Sequence, residues 1–404
     1  MKRRGTDVDL LVHGSGMVGL SLCVAAADAG FSVALVDARE VVPWEGGEPD
    51  LRVSAVTRAS QRILERLSAW EWVAARRAGA VEAIEAQDGL SDAVVTFSAA
   101  DIGEPCLAHI VENRLIQTAL LERLRRMSGV RTYVPASVER LDAEPDAVAV
   151  RLDDGRSLRV GLVAAADGAG SKVRELAGIR VHERDYGQKG LVCTVATELP
   201  HDRVARQRFL PGGPVAFLPL PDGRCSLVWS QPVDEADERL ALSEAAFCEA
   251  LSAASGRMLG TITGCGERAA FPLRRQHAER YVADRLALVG DAAHVIHPLA
   301  GQGANLGFLD AAALVAVMAR ARERGHDPGG PGALRRYERW RKGDNLLMQN
   351  AMDVFHWLFG RQDALSVGLR SLGLGVTDRL APAKQLFMAH AMGERLDLPP
   401  LGRR

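Results

Sequence analysis

The residues best suited to chemistry lie in two glycine-rich turns, Gly14-Ser15-Gly16-Met17-Val18-Gly19 and Gly290–Asn305. The second reads GDAAHVIHPLAGQGAN and follows the short apolar run Leu286–Val289. Glycines at 290, 301, 303 and 307 can leave backbone open to a closely approaching ligand. The loop then feeds a helix from about Ala304, whose free N–H groups and dipole favour negative charge. Asp291 stands at the end of a strand, where open α/β sheets place ligand-binding groups. A plain strand–loop–helix connection would use the same glycines for tight turns, so this stretch alone leaves both readings open.

The elements around the first turn are more specific. Val8–Val12 reads as a strand and Leu20–Ala29 as an Ala/Leu-rich helix. Gly30 is placed as a C-cap glycine, and Ser32–Val36 is the next strand. This is βαβ order with GxGxxG at its first turn. Asp37 ends the second strand, 18 residues beyond Gly19, with Arg39 just after it. An acid there can accept hydrogen bonds from ribose hydroxyls while a pyrophosphate sits on the helix N-terminus. The pattern predicts dinucleotide binding without choosing between FAD and NAD. His13 occupies a strand end that is usually apolar, and a hydrogen-bonded core position is expected for it rather than catalysis.

Taken in order, Gly290-Asp291-Ala292-Ala293-His294, Pro298, Gly301-Gln302-Gly303-Ala304-Asn305 and Asp310 resemble the second flavin motif of the FAD-dependent aromatic hydroxylases of para-hydroxybenzoate hydroxylase type. Asp167-Gly168, with Ser171 and Arg174, resembles the family's DG motif, although Ser171 is equally well placed as a plain helix N-cap. Glu112-Asn113-Arg114 resembles the segment whose Arg contacts FAD. The three main motifs occur in the family's order, and the resemblance covers nearly the whole chain. The segments AFLPLPDG and LVGDAAHVIHPLAGQGANLG look most like the ubiquinone-biosynthesis hydroxylases.

The resemblance implies an α/β fold: a Rossmann-like FAD-binding domain from 6–75, 103–180 and 271–330. A substrate domain with a mixed or antiparallel sheet would come from 76–102 and 181–270. A C-terminal helical region would follow over 331–404. It implies that Asp291 binds the ribityl chain, that Pro298–Asn305 lies along the flavin ring, and that Arg52 sits near the cofactor. Cofactor contacts are thus expected at Gly14, Gly16, Met17, Val18, Gly19, Asp37, Arg39, Arg52, Arg114 and Asp167. Further contacts are expected at Gly290, Asp291, Pro298, Gly301, Gly303, Ala304 and Asn305. The implied reaction is insertion of oxygen from O₂ into the ring of a hydrophobic, polyprenylated phenol or quinol, through a C4a-hydroperoxyflavin. NAD(P)H would be a transient reductant. His297, as a proton relay, and Pro298 are the catalytic candidates. A hydroxylase of another aromatic or polyketide, or a flavin-binding scaffold without catalysis, remains open.

Composition narrows the class. The chain has 404 residues, 47% of them hydrophobic, which is enough for a large core or two cooperating domains. The formal net charge of −1 supplies no basic field for nucleic acid. Six scattered cysteines without a CxxC pair signal neither a disulfide framework nor a metal site, and His294 and His297 lack a third ligand at suitable spacing. No secretory h-region and no long uncharged apolar run appears, so a cytoplasmic enzyme is expected, with contact to the inner membrane surface or a biosynthetic complex left open.

From Gly190 to about Leu273 the texture becomes β-rich, with turns at Pro211-Gly212-Gly213 and Pro221-Asp222-Gly223. An antiparallel sheet roofing the flavin is expected there. Phe217, Pro219 and Trp229 are candidates to line a substrate pocket, with ordinary sheet core as the alternative. Arg58–Trp70, Leu309–Arg322 and Leu334–Gly360 read as helices, followed by weaker helical patterns at 365–380 and 385–392. The cluster Met348–Phe359 has core, membrane surface or apolar substrate as its destination.

Overall fold

The computed structural model describes residues 5–91, 93–296, 303–360 and 397–403, side chains 351 and 355–360 aside. His297, Pro298 and Gly301 lie outside the described residues, as do the expected helices 365–380 and 385–392.

Among the described residues the two main sheets hold eight and nine strands. In the first, Val8–His13 is central. It pairs in parallel with Val33–Val36 on one side and Ser157–Ala165 on the other. Val130–Tyr133 and Leu286–Leu288 extend the parallel set at its two flanks. Such strands are covered on both faces, which explains their near-continuous Val/Leu/Ala sequences. Because they run in parallel, their carboxyl ends share one edge. Gly14, Asp37, Asp167 and Asp291 therefore converge there from four separate parts of the chain, the geometry expected at a switch point.

Two long helices pack on this sheet. Met17–Asp28 buries Gly19 through Ala26, and Gly30 beyond it adopts φ +77°. Gly303–Glu323 is 21 residues long with a mean hydropathy of 1.4 in its most apolar window, long and apolar enough by composition to cross a membrane. That window is 72% buried inside the fold, so the helix serves as core. The expected helix Arg58–Trp70 is instead two, Arg58–Arg66 and Trp70–Ala74. Ser68 at φ +55° ends the first, and Ala69 N–H closes it back on the Leu64 carbonyl.

The second sheet runs from His294–Val295 through Ala269–Ala278, Val181–Thr197, Cys225–Pro232, Gly213–Pro219 and Val204–Leu210 to Ala83–Asp88 and Val94–Ser98. Its pairings are antiparallel except where Val204–Leu210 meets Ala83–Asp88 in parallel. The incoming segment arrives from far upstream, so no hairpin dictates its direction. Strand alternation divides the residues cleanly. Ala216 and Leu218 face a cavity, whereas Val215 and Phe217 join Trp229, Phe247 and Leu251 in a separate core. A three-stranded sheet of Val53–Thr57, Ala108–Glu112 and Gly79–Val81 connects the two.

Candidate active site

A cavity of about 2150 Å³ runs from the carboxyl edge of the first sheet to the face of the second. Its nucleotide end is built by the first βαβ turn. Gly14 takes φ +116°, and a Cβ there would meet the Ala166 carbonyl oxygen at 2.3 Å. A Cβ on Gly19 would lie 1.9 Å from the Gly14 carbonyl oxygen, so only glycine lets the helix start this close to the strand. Gly16, by contrast, has open space beside it. It is also the N-cap of Met17–Asp28, and no side chain caps that helix. The uncapped N–H groups suit a phosphate. Asp37 is oriented by Ser15, whose N–H and Oγ donate to Oδ2 at 2.6 and 2.7 Å, and by the Arg39 N–H at 2.9 Å.

The DG segment closes the same end. Asp167 Oδ2 lies 2.9 Å from His13 Nδ1, which accounts for a histidine at that strand end. Ser171 Oγ donates to Asp167 at 2.5 Å and accepts the Arg174 N–H at 3.1 Å, so it is the helix N-cap. Burial alone would raise the Asp167 carboxyl, but the His13 ring and the Ser171 hydroxyl outweigh it and hold the carboxyl below its usual range. Arg174 is buried and donates to the Ala292 carbonyl at 3.0 Å, tying this helix to the second flavin turn.

Asp291 opens into the cavity. Its side chain is exposed to the cavity, while the protein packed around it raises its proton affinity, opposed by His294 and Arg52. Gly303 and Ala304 begin the long core helix at the cavity wall. The loop before Arg52 covers one side through Glu48, Pro49 and Asp50. Arg114 pairs with Asp50, Nε to Oδ2 at 2.8 Å, and still lines the cavity.

Twelve expected cofactor residues line this one space: Gly14, Gly16, Met17, Val18, Asp37, Arg39, Arg52, Arg114, Asp167, Asp291, Gly303 and Ala304. Three expected contacts stand behind the wall instead. Gly19 is spent on helix–strand packing, and Gly290 packs against Val18. Asn305 Nδ2 donates to the Ala55 carbonyl at 2.8 Å, and its Oδ1 accepts the Thr57 N–H at 3.0 Å. Its side chain braces the three-stranded sheet. Gly307, read as ligand-exposed, is buried; a Cβ there would strike Val18 at 2.5 Å.

The substrate-pocket candidates are corrected. Phe217 and Trp229 are fully buried on the far face of the second sheet, Trp229 with its ring 6.5 Å from Phe247. Pro219 shares their strand parity and is likewise absent from the cavity wall. Of the two destinations open to these residues, pocket or sheet core, strand parity decides for the core. On this face the sheet lines the cavity with Gly190, Val192, Ala205, Ala216, Ser226 and Val228, together with the larger Gln207, Phe209 and Leu218. Ile84, Val95 and Phe97 continue this lining along the same sheet, and Leu107 and Ile110 add to it from the segment of the three-stranded sheet. No motif marks them, though the period-2 pattern holds the signal.

The edge-clustered glycine turns, the acid ending the second strand and the large adjoining chamber fit a flavin-dependent oxygenase. Comparison with known proteins agrees. Residues 7–344 match the family model described as FAD binding domain, and the chain belongs to that family as an FAD-dependent monooxygenase. It is 40% identical to the ubiquinone hydroxylase UbiL of Rhodospirillum rubrum over 95% of this chain and 89% of the relative. It is 37% identical to the 3-demethoxyubiquinol 3-hydroxylase of Escherichia coli, over 95% and 98%. Among solved structures it is similar to pqsL, a probable FAD-dependent monooxygenase from Pseudomonas aeruginosa. The TM-score is 0.78 at 25% identity, covering 92% of this chain and all of that one. The p-nitrophenol 4-monooxygenase PnpA of Pseudomonas putida shares the fold, with TM-score 0.78 at 19% identity over 95% and 98%.

Proposed function

We propose that this enzyme hydroxylates the aromatic ring of a polyprenylated phenol or quinol in ubiquinone biosynthesis. The observation that carries the reading is the volume and lining of the chamber. At about 2150 Å³ it exceeds the roughly 300–1,000 Å³ of ordinary ligand pockets. Its non-nucleotide end is apolar, a shape for a long hydrocarbon tail beyond a ring held at the flavin. The two bacterial relatives, a ubiquinone hydroxylase and a 3-demethoxyubiquinol 3-hydroxylase, support the same substrate class.

Within this reading, the Gly14–Gly19 turn and the adjoining helix N-terminus hold the pyrophosphate, and Asp37 receives ribose hydroxyls. Asp291 receives the ribityl chain. The start of the Gly303 helix faces the flavin ring and stabilises negative charge there. Bound FAD supplies activation of O₂ and transfer of one oxygen atom to the ring, the other leaving as water with two electrons and two protons. The protein's own contributions are orientation and exclusion of water, which the apolar walls provide. His297 is retained as the proton relay and Pro298 as a contact of the ring. NAD(P)H is the proposed reductant, and peripheral contact with the inner membrane is the proposed source of so apolar a substrate.

The test is oxygen consumption by FAD-loaded protein with NAD(P)H present. Stimulation by a short-chain prenylated phenol, with a hydroxylated product by mass spectrometry, is expected. Stimulation by a water-soluble aromatic acid alone would replace this reading with the more general hydroxylase.

A further inference from the structure

The C-terminal helix Pro331–Gly360 carries polar side chains at every fourth position: Tyr337, Arg341, Asn345 and Gln349. All four are at most 1% exposed. That spacing repeats one helix face, so the helix turns a polar stripe inward, the reverse of ordinary amphipathic burial. Burying such groups is costly unless each finds a partner.

The partners lie on the segment that bears the second flavin turn. Tyr337 Oη donates to the Leu288 carbonyl at 2.7 Å, on the strand entering the turn. Arg341 Nε and Asn345 Nδ2 donate to Asp310 Oδ1 at 2.7 and 3.2 Å. The other Asp310 oxygen accepts the Gly290 N–H at 3.1 Å and lies 2.6 Å from His294 Nε2. Gln349 Nε2 donates to the carbonyls of Gln276 and Val295 at 2.9 and 3.0 Å, where the chain leaves the turn. Burial alone would raise the Asp310 carboxyl, but His294 and Arg341 outweigh it and hold it ionised. The entry and exit of the turn are thus held directly from this helix and its apex through Asp310, with Asp291 between them.

We propose that this stripe is a latch: Tyr337, Arg341 and Gln349 are positioning residues that hold the Gly290–Asp291 turn in its flavin-receiving conformation. None of the three lines the cavity, so they act through the backbone they hold. The inference rests on FAD being the ligand of this turn.

The experiment is fluorescence titration of stripped apoprotein with FAD, beside thermal unfolding of the same apoprotein. Gln349→Met removes two donors at nearly constant volume, and Tyr337→Phe removes one. Each variant is expected to bind FAD about tenfold more weakly, the worth of one or two buried hydrogen bonds. The apoprotein Tm is expected to stay within a few degrees of wild type. Arg341→Lys, which keeps the charge beside Asp310, is expected to retain more affinity than Arg341→Met. An FAD affinity within twofold of wild type in both Tyr337→Phe and a folded Gln349→Met overturns the latch, as does a lowered apoprotein Tm with unchanged affinity. Wild-type apoprotein that takes up no FAD overturns the flavin reading itself, and the latch with it.

Discussion

The two ends of the cavity are made from different materials. At the nucleotide end, backbone approaches backbone: Gly14 and Gly19 admit no Cβ, and Ser15 N–H, Asp37 and Asp167 are fixed by directed hydrogen bonds. At the other end, side-chain volume does the shaping, with Ala205, Ala216 and Val228 leaving the room that Phe217 and Trp229 fill on the opposite face. A ligand recognised by backbone geometry permits almost no substitution. One accommodated by leftover volume can be exchanged by changing a few methyl groups. On the proposed reading the first end specifies the cofactor and the second tunes the substrate.

The sharpest way to break this contrast is Gly19→Val. It drives a side chain into the Gly14 carbonyl and is expected to abolish FAD retention, read as loss of flavin absorbance after reconstitution. Flavin at wild-type occupancy would show that the turn is not backbone-limited. Next, Asp291→Ala removes a carboxylate acceptor and is expected to weaken FAD binding about tenfold without unfolding the protein. Ala216→Phe tests the other end. FAD affinity is expected to stay within twofold, while kcat/KM for a prenylated phenol falls at least about tenfold as the chamber fills. Equal losses of FAD and substrate would merge the two ends into one.

A smaller effect comes from two histidines behind the cavity wall. Burial lowers both His109, beside Trp70, and His277, beside Tyr281, to about 4. The unfolded chain then binds protons that the fold refuses. Stability is fully present above about pH 6.5 and falls as pH drops toward 4, by up to about 1.4 kcal/mol per pH unit for each ring. Denaturant unfolding at pH 5 and 7 checks this, and His109→Gln with His277→Gln should flatten the dependence. The smallest expected effect is Phe217→Leu, costing about 1 kcal/mol of stability with KM unchanged. A shifted KM would return Phe217 to the substrate wall.

What could be read from the sequence follows the same contrast. The βαβ order, the three motifs and the convergence of twelve expected cofactor contacts on one cavity were legible because backbone constraints leave glycines and acids at set spacings. The substrate wall was not, since Ala216 and Ser226 differ from any other small strand residue only in which face they occupy. Phe217 and Trp229 stood open between pocket and sheet core. The break at Ser68 was hidden because nothing but its backbone angle marks it. Asn305 and Gly307 belong to the motif by sequence yet serve packing, a distinction that only neighbours reveal.

Strand Leu286–Leu288 slots beside Ser157–Ala165, and Gln349 ties down the segment just beyond it. A ribosome must therefore deliver the chain as far as Gln349 before every contact at this end is made. The amino-terminal fingerprint emerges early but waits, unfinished, for most of synthesis. Cofactor loading is expected late, since a nascent product stopped near residue 280 carries the nucleotide signature but lacks Leu286–Leu288 and Asp291.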